Sequence, residues 1–141
     1  MPDQNPSNPA HIVPNLSVRD GKAAIDFYKI ALGAVELFRI EGPDGKVFAE
    51  LTIQGARFFL ADESPAHNNL SPSSLGGTSV RIDLLVDDPD ALQAQAVAAG
   101  AREISPVRDE AEGPRMGSIE DPFGHHWLIG RHWSGQKPGS E

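Results

Sequence analysis

The sequence contains no cysteine among its 141 residues. Disulfide frameworks, thiolate metal sites and cysteine nucleophiles are therefore excluded. Basic residues are also few. The sequence has 12 Lys and Arg but 20 Asp and Glu, which gives a net charge of −8. An acidic chain repels phosphate backbones and anionic lipid surfaces. We therefore expect neither nucleic acid nor a membrane as a partner.

Long hydrophobic runs are missing as well. The first ten residues contain three prolines and no apolar run, which predicts neither a signal peptide nor a membrane anchor and favours a cytoplasmic protein. Residues 1–10 and 134–141 have the polar composition of disordered tails. The 39% of hydrophobic residues is enough for one core, so a single domain is predicted over 11–133.

An internal repeat organises this domain. The segment LGAVEL at 32–37 recurs as AGAREI at 99–104, and Val18-Arg19-Asp20 is echoed by Val86-Asp87-Asp88. Each copy joins the end of a helix to the start of a strand. The repeat predicts module one over 11–62, a Ser-rich and Pro-rich linker over 63–78, and module two over 79–133.

Each module is predicted to be a βαβββ unit. Asp20 and Asp88 are candidate N-caps, and glycines end the helices Gly21–Leu32 and Ala91–Ala99. Apolar alternation at Ile82, Leu84 and Val86 indicates a strand with one covered face. The other predicted strands are 12–18, 34–40, 46–53, 57–61, 102–108, 115–120 and 125–130. The predicted class is α+β.

Several short motifs resemble one known family. They are DFYK at 26–29, LGA at 32–34, PDGK at 43–46, AEL at 49–51, LAD at 60–62, SPSSLGGT at 71–78 and DPFGH at 121–125. Their order and spacing resemble the PhnB-like, bleomycin-resistance-like branch of the vicinal oxygen chelate (VOC) superfamily, which includes glyoxalases. The resemblance implies a curved mixed sheet of two modules around a deep cavity, and a homodimer.

The resemblance also implies where a metal would lie. In metal-dependent members, four ligands come from the first and fourth strands of the two modules. Counting along the strands places Val13, Phe59, Arg81 and Leu128 at these positions, and none of them ligates a metal at neutral pH. No cofactor is therefore expected. A shift by two residues keeps the strand face. It offers a divalent metal the side chains of Asp83, His126 and Glu50, beside Asn15 and Arg57.

The concave face is the predicted binding site. Arg81 stands where metal-dependent members have a ligand, and the N–H donors of its guanidinium suit an anion. Alternatively, an ion pair with Glu50 or Asp83 neutralises the charge of Arg81. Arg115 is included because family members often carry a basic residue there. The predicted ligand-binding residues are Asn15, Phe48, Arg57, Phe59, Arg81, Arg115, His126 and Leu128.

Three functions remain open at this stage. The first is a protein that binds a small molecule without metal, in the manner of relatives that sequester drugs or metabolites and confer resistance. The second is a lyase or isomerase with Glu50 or Asp83 as general base, since burial raises the pKa of a carboxyl group, or with an atypical metal site. The third, a purely structural protein, is disfavoured because the fold encloses a cavity.

Overall fold

The computed structural model describes residues 7–132 of the chain. Module one comprises β1 (Asn15–Val18), α1 (Gly21–Leu32), β2 (Val35–Glu41), β3 (Val47–Ile53) and β4 (Ala56–Asp62). A 3₁₀ turn (Pro65–His67) and α2 (Pro72–Leu75) follow. Module two comprises β5 (Arg81–Val86), α3 (Pro89–Ala98), β6 (Arg102–Arg108), β7 (Met116–Glu120) and β8 (His126–Arg131).

The two modules form separate four-stranded sheets with the same strand order. The order is β1-β4-β3-β2 in the first sheet and β5-β8-β7-β6 in the second. β1 is parallel to β4, and β5 is parallel to β8, whereas the remaining neighbouring pairs are antiparallel. This arrangement confirms the predicted βαβββ repeat and the α+β class.

Local sequence signals set the ends of the helices. The side chain of Asp20 accepts a hydrogen bond from the backbone N–H of Ala23, and the side chain of Asp88 accepts one from Ala91. Gly33 follows α1 with a φ of 68°, a left-handed conformation that a residue without Cβ adopts at little cost. These caps act over three or four residues, so the sequence alone locates them.

The predicted starts of β1 and α3 were wrong. β1 begins at Asn15 rather than Ile12, because β4 provides partners only from Phe59, which lies opposite Asn15. Helix α3 begins at Pro89 rather than Ala91, since the proline occupies the first helical position. The linker contains helical turns, and Ser71 within it is fully buried. The predicted tails lie largely outside the described residues, which begin at residue 7 and end at residue 132.

One hydrophobic core joins both modules. The ring centroid of Trp127 on β8 lies 5.7 Å from that of Tyr28 on α1 and 5.8 Å from that of Phe58 on β4. Trp127 is 1% exposed and belongs to this shared core. Within residues 7–132, no helix combines the length and apolarity that a membrane span requires.

Candidate functional site

Each sheet packs one face against its helix and leaves a helix-free face. In the first sheet, Phe38, Phe48 and Phe59 form a row on this face. Their ring centroids are 6.1 Å apart for Phe38 and Phe48, and 5.4 Å apart for Phe48 and Phe59. Glu50 pairs with Phe59 across β3 and β4, so it lies on the same face. The sequence analysis selected all of these residues except Phe38.

Arg57 completes this face. Its Cζ lies 5.7 Å from the ring centroid of Phe59, within the range of a cation–π interaction. Its Nε donates a short hydrogen bond to Glu50, whose residue surface is 8% exposed. A carboxylate so buried requires a partner. The sequence analysis left open an ion pair of Glu50 with Arg81, and the structure pairs Glu50 with Arg57 instead.

Four of the other predicted residues lie on the second sheet, namely Arg81, Asp83, His126 and Leu128. Arg81 lies opposite His126, and Asp83 lies opposite Leu128. His126 Nε2 is 3.8 Å from a carboxylate oxygen of Glu120. Arg81 and Asp83 are exposed. Among residues 7–132, no acidic side chain forms an ion pair with Arg81. Within these residues its guanidinium is therefore available to a ligand.

The two modules meet beside these faces. A cavity of about 180 Å³ is lined by Arg57 and Asp83 together with apolar residues that include Ile82 and Trp127. It brings together one predicted site residue from each module. His126 lines a separate cavity of about 270 Å³ beside Pro72 and Glu120.

The strand register shows which residues of the first strands lie beside Phe59 and Leu128. The residues opposite them are Asn15 and Asp83, which the shift by two residues along the first strands offers. Val13 and Arg81 are two residues away, and positions two apart share a strand face because side chains alternate with period two. Asn15 and Asp83 offer one amide and one carboxylate. No group of three His, Asp or Glu side chains suited to a metal is found in the described part of the chain.

The residues present therefore do not fit a four-ligand centre. Phe59 and Leu128 have no donor atoms, and Asn15 presents a weak neutral oxygen. A divalent ion bound in proteins requires several oxygen or nitrogen ligands at once. His126 and Asp83, from the predicted atypical site, lie on neighbouring strands but not opposite each other, and Glu50 is held by Arg57.

Arg115 lies elsewhere. Its Nε and Nη2 donate to the two carboxylate oxygens of Asp90, at 2.9 and 2.8 Å, and its Nη1 donates to Asp109 at 3.2 Å. Asp90 belongs to the first turn of α3. These contacts anchor the segment before β7 to the helix, so the structure does not bring Arg115 together with the other predicted residues.

A buried polar cluster at the module junction went unrecognised in the sequence. Asp121 is 3% exposed and accepts hydrogen bonds from the Tyr28 hydroxyl at 2.5 Å and the Trp127 indole N–H at 2.9 Å. Burial and the nearby charge of Asp121 hold the pKa of Tyr28 well above its usual value, so the phenol remains an uncharged donor. The DPFGH motif contains Asp121, but only folding reveals Tyr28 as its partner.

Comparisons with known proteins place this chain in a family. The sequence profile of the Glyoxalase/Bleomycin resistance protein/Dioxygenase superfamily matches residues 8–129. An uncharacterized protein of Mycobacterium tuberculosis is 46% identical over 122 residues, which cover 84% of this chain and 72% of that protein.

Solved structures agree with the profile. TioX from Micromonospora sp. ML1 superimposes with a TM-score of 0.70 and 26% identity, covering 89% of this chain and 100% of that one. A gene product from Arabidopsis thaliana gives a TM-score of 0.63 and 31% identity, covering 84% and 94%. The chain therefore belongs to the glyoxalase/bleomycin resistance/dioxygenase superfamily, the VOC superfamily that its motifs resemble.

Proposed function

We propose that the protein binds a small molecule with a flat apolar part and an anionic group on its helix-free faces, without a four-ligand metal centre. The observation that carries this proposal is the row of Phe38, Phe48 and Phe59, which ends beside Arg57. Aromatic rows stack well against flat ligands. We propose that such binding serves drug or metabolite sequestration or resistance.

Arg81 is the proposed anion anchor. Arg57 is already neutralised by Glu50, whereas Arg81 has no ion pair within residues 7–132. Arg57, whose guanidinium lies against Phe59, lines one cavity together with Asp83 of β5, the strand that carries Arg81, and this supports a site that includes both the aromatic row and Arg81. A guanidinium fork forms paired hydrogen bonds with a carboxylate. Asn15, His126 and Leu128 are proposed to complete the surface around it.

Calorimetric titration with 1-naphthoate tests this proposal. We expect R81A to weaken binding by about tenfold, in line with the loss of a hydrogen bond to a charged group, and F59A to weaken it through lost stacking. The matched control is R108A, because Arg108 is an exposed arginine at the end of β6 that pairs with Glu110. Equal affinities of wild type, R81A and F59A would contradict the proposed site, as would an equal loss in R108A.

Metal content provides an independent prediction. We expect protein purified without chelator to contain far less than one divalent ion per chain, because Asn15, Phe59, Asp83 and Leu128 supply too few ligands at the family's metal positions. Elemental analysis by mass spectrometry measures it. Stoichiometric Zn, Ni, Mn or Fe that survives gel filtration would overturn the metal-free part of the proposal.

The alternative of a lyase or isomerase has less support. Its base would be Glu50 or Asp83, yet Glu50 is engaged by Arg57 and Asp83 is exposed to solvent.

Within the superfamily, we propose from the motifs that the chain belongs to the PhnB-like branch, and from its composition that it is cytoplasmic. We also propose a homodimer, because Val35, Leu37 and Ile40 on edge strand β2 are 58%, 53% and 62% exposed, and unprotected apolar edges favour association.

A further inference from the structure

A second cavity lies where the two modules meet. It has a volume of about 350 Å³, within the usual size of small-molecule sites. β1 and β5 are the terminal strands of their sheets, each with a single neighbour, and the cavity lies between them under the linker. We call it the junction cavity. Its lining comprises Pro14, Asn15, Leu16, Ser17, Leu70, Pro72, Leu75, Gly77, Thr78, Val80, Ile82 and His125.

The linker is fixed in place over this cavity. The Ser17 hydroxyl donates a short hydrogen bond to Asn69. Glu63 accepts hydrogen bonds from the Ser71 backbone N–H at 2.9 Å and the Ser74 hydroxyl at 2.8 Å. At Gly124 an added Cβ would lie 2.7 Å from the Cβ of Pro72, so glycine there permits the close approach of the linker. The cavity is thus bounded by ordered, mutually bonded segments.

The lining of the junction cavity carries no formal charge. It contains no Asp, Glu, Lys or Arg, in contrast to the helix-free faces with Arg57, Glu50, Arg81 and Asp83. An ion transferred into such surroundings loses hydration and finds no counter-charge. The cavity therefore favours an uncharged ligand, whose apolar part contacts side chains such as Leu16, Val80 and Ile82.

Polar groups in the lining provide hydrogen bonds for one end of such a ligand. His125 Nε2 lies 2.8 Å from the carbonyl oxygen of Ser17. Since that oxygen only accepts, Nε2 carries the proton and Nδ1 of the neutral ring is an acceptor. Thr78 Oγ1 accepts from the Val80 N–H at 3.3 Å, which leaves its hydroxyl proton as a donor. A hydroxyl or amide group both donates and accepts, so it suits this set.

We propose that the junction cavity is a second ligand site, which takes an uncharged molecule with an apolar body and a hydroxyl or amide head. The site shares Asn15 with the anion-binding surface proposed above but differs from it in the rest of its lining, because it lies between β1, β5 and the linker rather than on the aromatic row. Its selectivity follows from the absence of charge in the lining, together with the donor and acceptor pattern of His125 and Thr78.

The experiment compares three probes that share one ring system and differ in charge: 1-naphthalenemethanol, 1-naphthoate and 1-naphthylmethylamine. Binding to the full chain is followed by ¹H–¹⁵N NMR. We expect the alcohol to shift the amides of Leu16, Thr78, Val80 and Ile82, and to bind there at least about tenfold more tightly than either ion. V80W places a bulky indole in the lining of the cavity and so reduces the space for a ligand. This variant should weaken binding of the alcohol by about tenfold or more.

Two controls separate this site from the other. V97W introduces the same side chain at an exposed position on α3 and should leave binding of the alcohol unchanged. F59A should weaken 1-naphthoate but not the alcohol. The junction site is overturned if the alcohol shifts only residues of the aromatic row, if either ion shifts the amides of Leu16 and Thr78 at concentrations as low as the alcohol does, or if folded V80W retains wild-type affinity. None of these results decides whether 1-naphthoate binds at Arg81.

Discussion

Replacement of Asp121 by alanine should lower the free energy of unfolding by about 4 kcal/mol. The mutation removes the acceptor of the Tyr28 hydroxyl and the Trp127 indole N–H, and also of the backbone N–H groups of Phe123 and His125. Buried donors without acceptors cost about 1–3 kcal/mol each, partly offset because a buried charge is also removed. Denaturant unfolding followed by circular dichroism measures the change.

Two matched variants check the cause. Tyr28→Phe removes one donor and leaves Asp121 bonded to Trp127, so it should cost only about 1 kcal/mol. Asp121→Asn keeps an acceptor oxygen and should fall between the other two. A loss below about 1 kcal/mol for Asp121→Ala would show that water replaces the carboxylate and that the cluster contributes little to holding the modules together.

Replacement of Trp127 by alanine should lower the free energy of unfolding by about 3–5 kcal/mol, as observed for large aromatic residues removed from cores. The side chain is 1% exposed and packs against Tyr28 and Phe58 of module one. Its loss therefore leaves a cavity at the junction rather than inside one module. Because the core is shared, we expect both modules still to unfold in one transition.

Hydrogen exchange of the backbone amides, with Trp127→Phe as the conservative control, tests this expectation. The control keeps an aromatic ring and should retain more than half of the lost stability. In Trp127→Ala, amides of β3 and β8 should lose protection to a similar extent. Loss of protection in β8 alone would contradict a shared core, since module one would then be stable without this contact.

Much of the fold was predictable because its signals are local. Asp20 and Asp88 cap their helices over three residues, and Gly33 ends α1 through its own backbone conformation. The alternation along β5 predicted the covered face that Leu84 and Val86 occupy. The repeat then supplied the succession of elements twice, because the second module repeats the βαβββ pattern of the first.

The candidate site was predicted only in part. Period-two alternation placed Phe48, Glu50, Arg57 and Phe59 on one face, and the strand pairing agrees. Alternation does not determine which residues lie opposite each other on neighbouring strands, so only the structure pairs Asn15 with Phe59 and Asp83 with Leu128. Nor does it determine that Glu50 pairs with Arg57 rather than Arg81, because the pair depends on the distance between side chains across strands.

By itself, the sequence determined the two modules, their helix caps, the covered strand faces and the absence of cysteine chemistry, all of which depend on residues close together along the chain. The tertiary structure alone decided the strand register, the contact of Arg115 with α3 and the pairing of Tyr28 with Asp121 across 93 positions. It also decided the folding of the linker over the junction cavity. These features depend on how two separately patterned modules pack, and a hydrogen bond between distant residues forms only once that packing brings donor and acceptor together.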